Sequence, residues 1–246
     1  MSAATSTGDR LLLLLAPVLG GGSLLLFIAW PPGVDLHLGG GAALAWDGLL
    51  SLAFFLQHSL MVRRPVQARM ARHLPVRQLA ATYAAASGLV LAAVVLLWQR
   101  LSPPLLTLHG FARLLALCMS ALALLAFAWA VRSLRRFDPF GIAALRRYAR
   151  SRPEPPAVLS VRGPYRWVRH PLYLCSLVVI WSNPVLTTDR LLLAVLFTAW
   201  VVVGAWLEEK DLAAELGEPY RAYQRRVPML LPWRKPAEES RPAPTG

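Results

Sequence analysis

The chain has 246 residues, of which 56% are hydrophobic and 16% charged, with a mean hydropathy of +0.47. A water-soluble domain carries about a quarter charged residues, so this composition excludes an ordinary soluble fold. The formal charge of +13 comes from 26 Lys+Arg against 13 Asp+Glu; apart from Lys210 and Lys235 every basic residue is Arg, and these avoid the interiors of the long apolar runs. The hydrophobic residues are spread along the whole chain, which predicts one polytopic membrane domain over residues 1–233 and a Pro- and Ser-rich, charged, disordered tail over 234–246.

About 20 apolar residues in a helix cross a hydrocarbon core of about 30 Å. Four runs meet that requirement: Leu11–Trp30, Ala42–Val62, Gln78–Trp98 and Phe111–Val131. The first lacks a convincing small-residue cleavage site and is followed by three more spans, so it is read as a membrane helix and not a signal peptide. A longer stretch, Leu172–Leu207, is interrupted by Ser182-Asn183-Pro184 and by Asp189-Arg190. Proline breaks a helix interior, which predicts a short fifth helix, Pro171–Trp181, turning back into a full sixth span, Leu191–Leu207. The expected fold is an all-α integral membrane protein with about six membrane helices, the fifth short and forming a hairpin with the sixth. Gly20-Gly21-Gly22 and Gly39-Gly40-Gly41 are expected to serve close helix approach or bending, since neither joins a strand to a helix as a phosphate loop does.

Arginine placement predicts the orientation. Arg63, Arg64, Arg69, Arg72 and Arg77 separate spans two and three, and Arg132, Arg135, Arg136, Arg146, Arg147, Arg150, Arg152, Arg162, Arg166 and Arg169 precede the fifth helix. The alternate loops, Pro31–Gly41 and Arg100–Gly110, carry at most one basic residue. The alternation places both termini in the cytoplasm. Trp30, Trp46, Trp98 and Trp181 then sit at the outer interface, and Trp129, Trp167, Trp206 and Trp233 at the inner one, as an aromatic belt requires. The positive charge is thereby accounted for by topology and lipid, and nucleic acid is excluded as a partner.

Chemistry-bearing residues concentrate at the inner interface. Arg162-Gly163-Pro164-Tyr165-Arg166-Trp167-Val168-Arg169-His170-Pro171-Leu172-Tyr173 packs rings, cations and a histidine together. Pro171 suits the first position of a helix, which puts His170 beside free N–H groups that favour an anion. Arg, Trp and Tyr also suit the headgroup layer singly, but the cluster as a whole points to a binding site. Glu208 and Glu209 stand where the sixth span is expected to end; adjacent carboxylates at the negative end of a helix repel each other and call for a cation, either a nearby arginine or a ligand. Tyr220 and Tyr223 fall on one face of a short helix in Gly217–Pro228. Within span two, Gln57, His58 and Ser59 are polar groups at membrane depth, where such groups face cavities or neighbouring helices. No His/Cys/Glu spacing suggests a metal site, and Cys118 and Cys175 are read as packing residues in apolar runs.

Gly163-Pro164-Tyr165 through Arg169-His170-Pro171-Leu172-Tyr173, then Glu208-Glu209, Tyr220, Tyr223 and Val227-Pro228, resembles the isoprenylcysteine carboxyl methyltransferase and phospholipid methyltransferase superfamily of integral membrane enzymes. Leu56–Met61, Phe137–Gly141 and Val227–Trp233 are similar to the bacterial methanethiol S-methyltransferases, which make dimethyl sulfide; a membrane family of the nitric-oxide regulon is also similar in span two. The resemblance covers about Leu49 to Trp233. It implies S-adenosyl-L-methionine as methyl donor, with Tyr165, Arg169, His170, Pro171, Tyr173, Glu208, Glu209, Tyr220 and Tyr223 at its site in a cofactor half of about residues 132–233. It further implies a small thiol acceptor, His58 as its proton acceptor with Gln57 orienting, and an active site facing the cytoplasm of a bacterial inner membrane. Charge agrees: Arg169 and His170 suit the donor's carboxylate, and Glu208 or Glu209 its cationic parts. The alternatives are the same chemistry on an isoprenylcysteine carboxylate or a phospholipid amine, or a non-catalytic membrane protein of the nitrogen-oxide response. One departure from the superfamily is Cys175, which replaces the usual Gly after His-Pro-x-Tyr-Leu, a change expected to narrow a pocket there.

Overall fold

The computed structural model describes residues 6–134, 138–153 and 159–238. Arg135 and Arg136 of the basic loop, Phe137 of the Phe137–Gly141 stretch, and residues 239–246 of the expected tail lie outside the described residues. The chain is an all-α integral membrane protein. Among the described residues five helices are long and apolar enough to cross a bilayer: α1 (Thr7–Ala29), α2 (Gly40–Met61), α4 (Val76–Leu97), α5 (Gly110–Ser133) and α8 (Thr188–Leu216). Short helices fill the intervals: α3 (Arg64–Met70), α6 (Ile142–Ala149), α7 (Pro171–Trp181) and α9 (Glu218–Arg226), with a 3-10 turn over Gly163–Arg166. The chain divides into two compact units, one of residues 1–102 and 138–155, the other of 103–137 and 156–246.

In the first unit α4 packs along α1. Ser6 caps α1 through its side chain and Asp9 answers it, a capping box. The two helices approach so closely that a β-carbon on Gly88 would lie 2.4 Å from the Leu19 carbonyl carbon. Small residues allow this approach, and in lipid it is dispersion at such contacts, with no hydrophobic drive, that associates helices. Their buried seam is built of Ala16, Ala81 and Ala84, with Leu145 of α6 closing it. Of the two glycine runs, Gly20 and Gly21 face the Phe140 ring, whereas Gly39, Gly40 and Gly41 meet nothing within 4 Å.

Polar groups stitch the helix ends. Asp9, 1% exposed, accepts from Arg77 Nε at 3.1 Å, Arg77 Nη2 at 3.1 Å and Gln78 Nε2 at 2.8 Å, and the Arg77 guanidinium lies 4.0 Å from the Tyr148 ring centroid. At the opposite end Gln99 N donates to buried Asp47 Oδ1 at 2.9 Å, and Trp46 Nε1 donates to Leu97 O at 3.0 Å.

In the second unit α5 packs on α7, and α8 on α7 and α9. The short fifth helix has the expected bounds, Pro171–Trp181, because Pro171 opens it at N1 and the Ser182-Asn183-Pro184 turn ends it. Two features differ from expectation. Val185–Leu186 pairs antiparallel with Leu106–Thr107 (Leu106 opposite Leu186), a two-residue ladder linking distant loops. Helix α8 continues to Leu216, so Glu208 and Glu209 lie about two turns inside it and not at its end. With 29 residues at about 1.5 Å each, α8 outruns a hydrocarbon core of about 30 Å, and its last turns can carry charge. The first part of the expected tail is placed: Ala237 N donates to Arg166 O at 2.9 Å, and Arg166 Nε donates to Ala237 O at 2.6 Å.

Leu25 and Leu89 in the first unit, and Phe111 and Leu125 in the second, are each more than half exposed, apolar surface of the kind a bilayer covers. Gly88→Ala is expected to force α1 and α4 apart and cost about 1–3 kcal/mol, lowering the melting temperature in detergent. Gly204→Ala, in open space on α8, is expected to leave it unchanged or raise it.

Candidate active site

The segment before α7 is bent into place by a single residue. Gly163 has φ +51°, and a β-carbon there would stand 2.2 Å from Ser133 Oγ of α5. Only glycine meets both conditions. After the turn, Arg169 N donates to Pro228 O at 2.9 Å and His170 N to Met229 O at 3.1 Å, so the segment leaving α9 runs beside the residues entering α7. His170 is the N-cap of α7, beside its first free N–H groups.

Arg169 and Glu209 meet. Arg169 Nε donates to Glu209 Oε1 at 2.6 Å and Nη2 to Oε2 at 2.9 Å, a bidentate pair with both side chains 10% exposed. Arg169 Nη1 also donates to Gln224 O at 3.0 Å and to Val227 O. Glu209 further accepts from Gln224 Nε2 at 3.0 Å, and its Oε1 lies 3.1 Å from His170 Nε2. With that bond made by Nε2–H, the Nδ1 edge of His170 turns to Glu208 Oε2, 3.7 Å away. Of the two sequence readings for the acidic pair, Glu209 takes the nearby arginine.

Glu208 is different. Its side chain is 46% exposed, because neighbours on a helix point about 100° apart. It accepts from Tyr173 OH at 2.9 Å, and the Tyr173 ring stacks on His170 with centroids 5.3 Å apart and planes at 8°. Lys210 is turned away, its Nζ 3.4 Å from the Trp206 ring centroid.

Tyr220 and Tyr223 are both buried, their rings edge-on at 5.9 Å, in a small core with Val161 and Val227. Tyr223 OH donates to Tyr165 O at 2.6 Å, holding the 3-10 turn to α9. Burial pushes the Tyr165, Tyr220 and Tyr223 phenols above their ordinary range, so they stay neutral. Cys175 is buried on α7.

The second unit thus gathers Tyr165, Arg169, His170, Pro171, Tyr173, Glu208, Glu209, Tyr220 and Tyr223 into one neighbourhood. Gln224, which the sequence reading missed, belongs with them; its position one residue after Tyr223 in the same short helix is the signal that was there. Gln57 and His58 belong to the first unit, at the last turn of α2. There Tyr83 OH lies 2.9 Å from His58 Nε2 and Ser87 Oγ 3.3 Å from Nδ1. Tyr83 and Ser87 were also missed, although two hydroxyls four apart in an apolar run share one helix face.

Comparison with known proteins places this geometry in a family. Residues 48–233 match the family model described as NnrU protein. A methanethiol S-methyltransferase from a Pseudomonas species is 36% identical over 82% of this chain and 80% of its own length. Methanethiol S-methyltransferase 2 of Bradyrhizobium diazoefficiens is 34% identical over 84% of this chain and 81% of its own. Nurim of Rattus norvegicus is 33% identical over 70% of this chain and 68% of its own. No solved structure matches. A family model spanning most of the chain, and relatives above 30% identity along the same stretch, show that this protein belongs to the NnrU family.

Proposed function

We propose that the protein is an S-adenosylmethionine-dependent methyltransferase whose acceptor is a small thiol, methanethiol, and whose product is dimethyl sulfide. The observation that carries this reading is the half-exposed Glu208, held by Tyr173 beside the His170 cap of α7 while its neighbour Glu209 is consumed by Arg169. The relatives named methanethiol S-methyltransferase supply the acceptor.

The donor set fits the cofactor. S-adenosylmethionine supplies a methyl group on a sulfonium, together with an ammonium, a carboxylate and ribose hydroxyls. Glu208 answers the positive groups, the free N–H groups at the start of α7 answer the carboxylate, and the Tyr165 and Tyr173 rings offer faces to a cation. Arg169, Glu209 and Gln224 hold this surface in shape. Tyr220 and Tyr223 hold it from the α9 side. In the first unit, the His58 imidazole accepts the thiol proton and leaves the thiolate, the nucleophilic form, with Gln57 orienting. Residues 1–233 form one methyltransferase domain, with the cofactor half at about 132–233. The arginine-rich loops favour a bacterial inner membrane with both termini and the site toward the cytoplasm.

Cells expressing the protein and fed methanethiol are expected to release dimethyl sulfide into the headspace, and His58→Ala to lower that release at least tenfold. A methylated lipid or prenylcysteine with no volatile product would replace the acceptor, and no S-adenosylhomocysteine binding in nanodiscs would remove the enzyme reading. Calorimetry with S-adenosylhomocysteine separates the two carboxylates. Glu208→Gln is expected to weaken binding about tenfold, near 1.4 kcal/mol, with melting unchanged. Glu209→Ala strands a buried arginine and is expected to cost about 3–5 kcal/mol of stability.

A further inference from the structure

The first unit contains a polar cluster that the donor site does not use. On α2, Gln57 Nε2 donates to Ser87 Oγ at 3.2 Å and to Met61 Sδ at 3.0 Å, which spends both amide hydrogens. Its Oε1 is buried with no hydrogen-bond partner among the described residues. A buried acceptor left without a donor keeps its desolvation penalty uncompensated, so the position calls for a donor. On α4, Ser87 lies 3.3 Å from His58 Nδ1, and Tyr83 OH lies 3.1 Å from Nδ1 and 2.9 Å from Nε2. Phe54 stacks on the ring, centroids 5.2 Å apart. The cluster sits in the last turns of α2 and between about 10 and 17 Å along α4 from its start, inside the apolar part of both helices. Charged or bulky donors are costly there, whereas a small neutral donor is not.

We propose that this α2–α4 face is the docking subsite of the small thiol, whose S–H donates to Gln57 Oε1, with Tyr83 and Ser87 as positioning residues that fix the His58 ring and its tautomer. The inference rests on the thiol-methylation reading and deepens it. Bound neutral, the thiol keeps its hydrogen on Gln57. Proton transfer then breaks the S–H bond, forms an N–H bond on the imidazole and leaves the electron pair on sulfur. Ser87 ties the two functional side chains together, since it accepts from Gln57 and faces His58. Its hydroxyl and that of Tyr83 approach the imidazole from α4, so the ring cannot turn without breaking an interaction.

Nitrogen-15 spectra of histidine-labelled full-length protein in nanodiscs, titrated with methanethiol and separately with dimethyl sulfide, test this. Methanethiol is expected to shift the His58 ring resonances, and dimethyl sulfide, which lacks the S–H, to leave them in place. Tyr83→Phe and Ser87→Ala are expected to change the tautomer ratio and lower kcat at least fivefold while KM changes little, with Ser87→Thr restoring both. Gln57→Leu is expected to raise the KM for methanethiol at least tenfold with S-adenosylhomocysteine affinity unchanged. Equal responses to the two sulfur compounds, or wild-type tautomer ratios in Tyr83→Phe and Ser87→Ala, overturn the subsite. A methanethiol-specific shift without any dimethyl sulfide formation sinks the methylation reading and leaves the subsite standing; dimethyl sulfide formation without that shift does the reverse.

Discussion

The second unit depends on one ion pair. Arg169 and Glu209 are almost out of solvent, and each alone would be an uncompensated charge at the edge of an apolar body. Together they satisfy one another bidentately, and their remaining hydrogen-bonding capacity reaches His170, Gln224 and Val227. Three stretches far apart in sequence meet at this point: the entry to α7, the last turns of α8, and α9. A side effect of the pairing is functional. With Glu209 turned inward, the helix geometry of α8 must present Glu208 outward beside Tyr173.

The first unit is held by close approach and by charges at its ends. Alanine and glycine seams bring α1 and α4 backbone to backbone, Asp9 with Arg77 and Gln78 ties α1 to the start of α4, and Asp47 with Gln99 ties α2 to the chain just past the end of α4. In lipid this division is economical, since dispersion needs only fit, whereas a polar group in the hydrocarbon must be satisfied by protein and one near the interface can also be satisfied by water.

Much of the architecture was legible because bilayer thickness imposes a length that can be counted. The four early spans and Pro171–Trp181 follow from run length and from proline at the first helical position. The Glu208–Glu209 pair and the His170 corner were legible as types of residue that apolar boundaries seldom carry. What was not legible is which of them bond to each other. Arg169 reads as a site for an anionic ligand until the fold supplies Glu209, 40 residues on. The extension of α8 past Leu207 was hidden because charge ends an apolar run without ending a helix. The Leu106–Leu186 ladder was hidden because two residues carry no periodicity. Tyr83 and Ser87 were hidden in a helix whose hydropathy says only that it spans, and a histidine on a neighbouring helix gives them meaning.

The exchange of two hydrogen bonds between Ala237 and Arg166 bears on how the protein is handled. A reporter or purification handle spliced directly after Trp233 would strip the 3-10 turn of its brace from the tail and leave it held from the Tyr223 side, close to the bend that Gly163 makes. Handles joined beyond Glu238 keep that brace intact, so a topology map built from gene fusions would distort this molecule least when its last junction lies there.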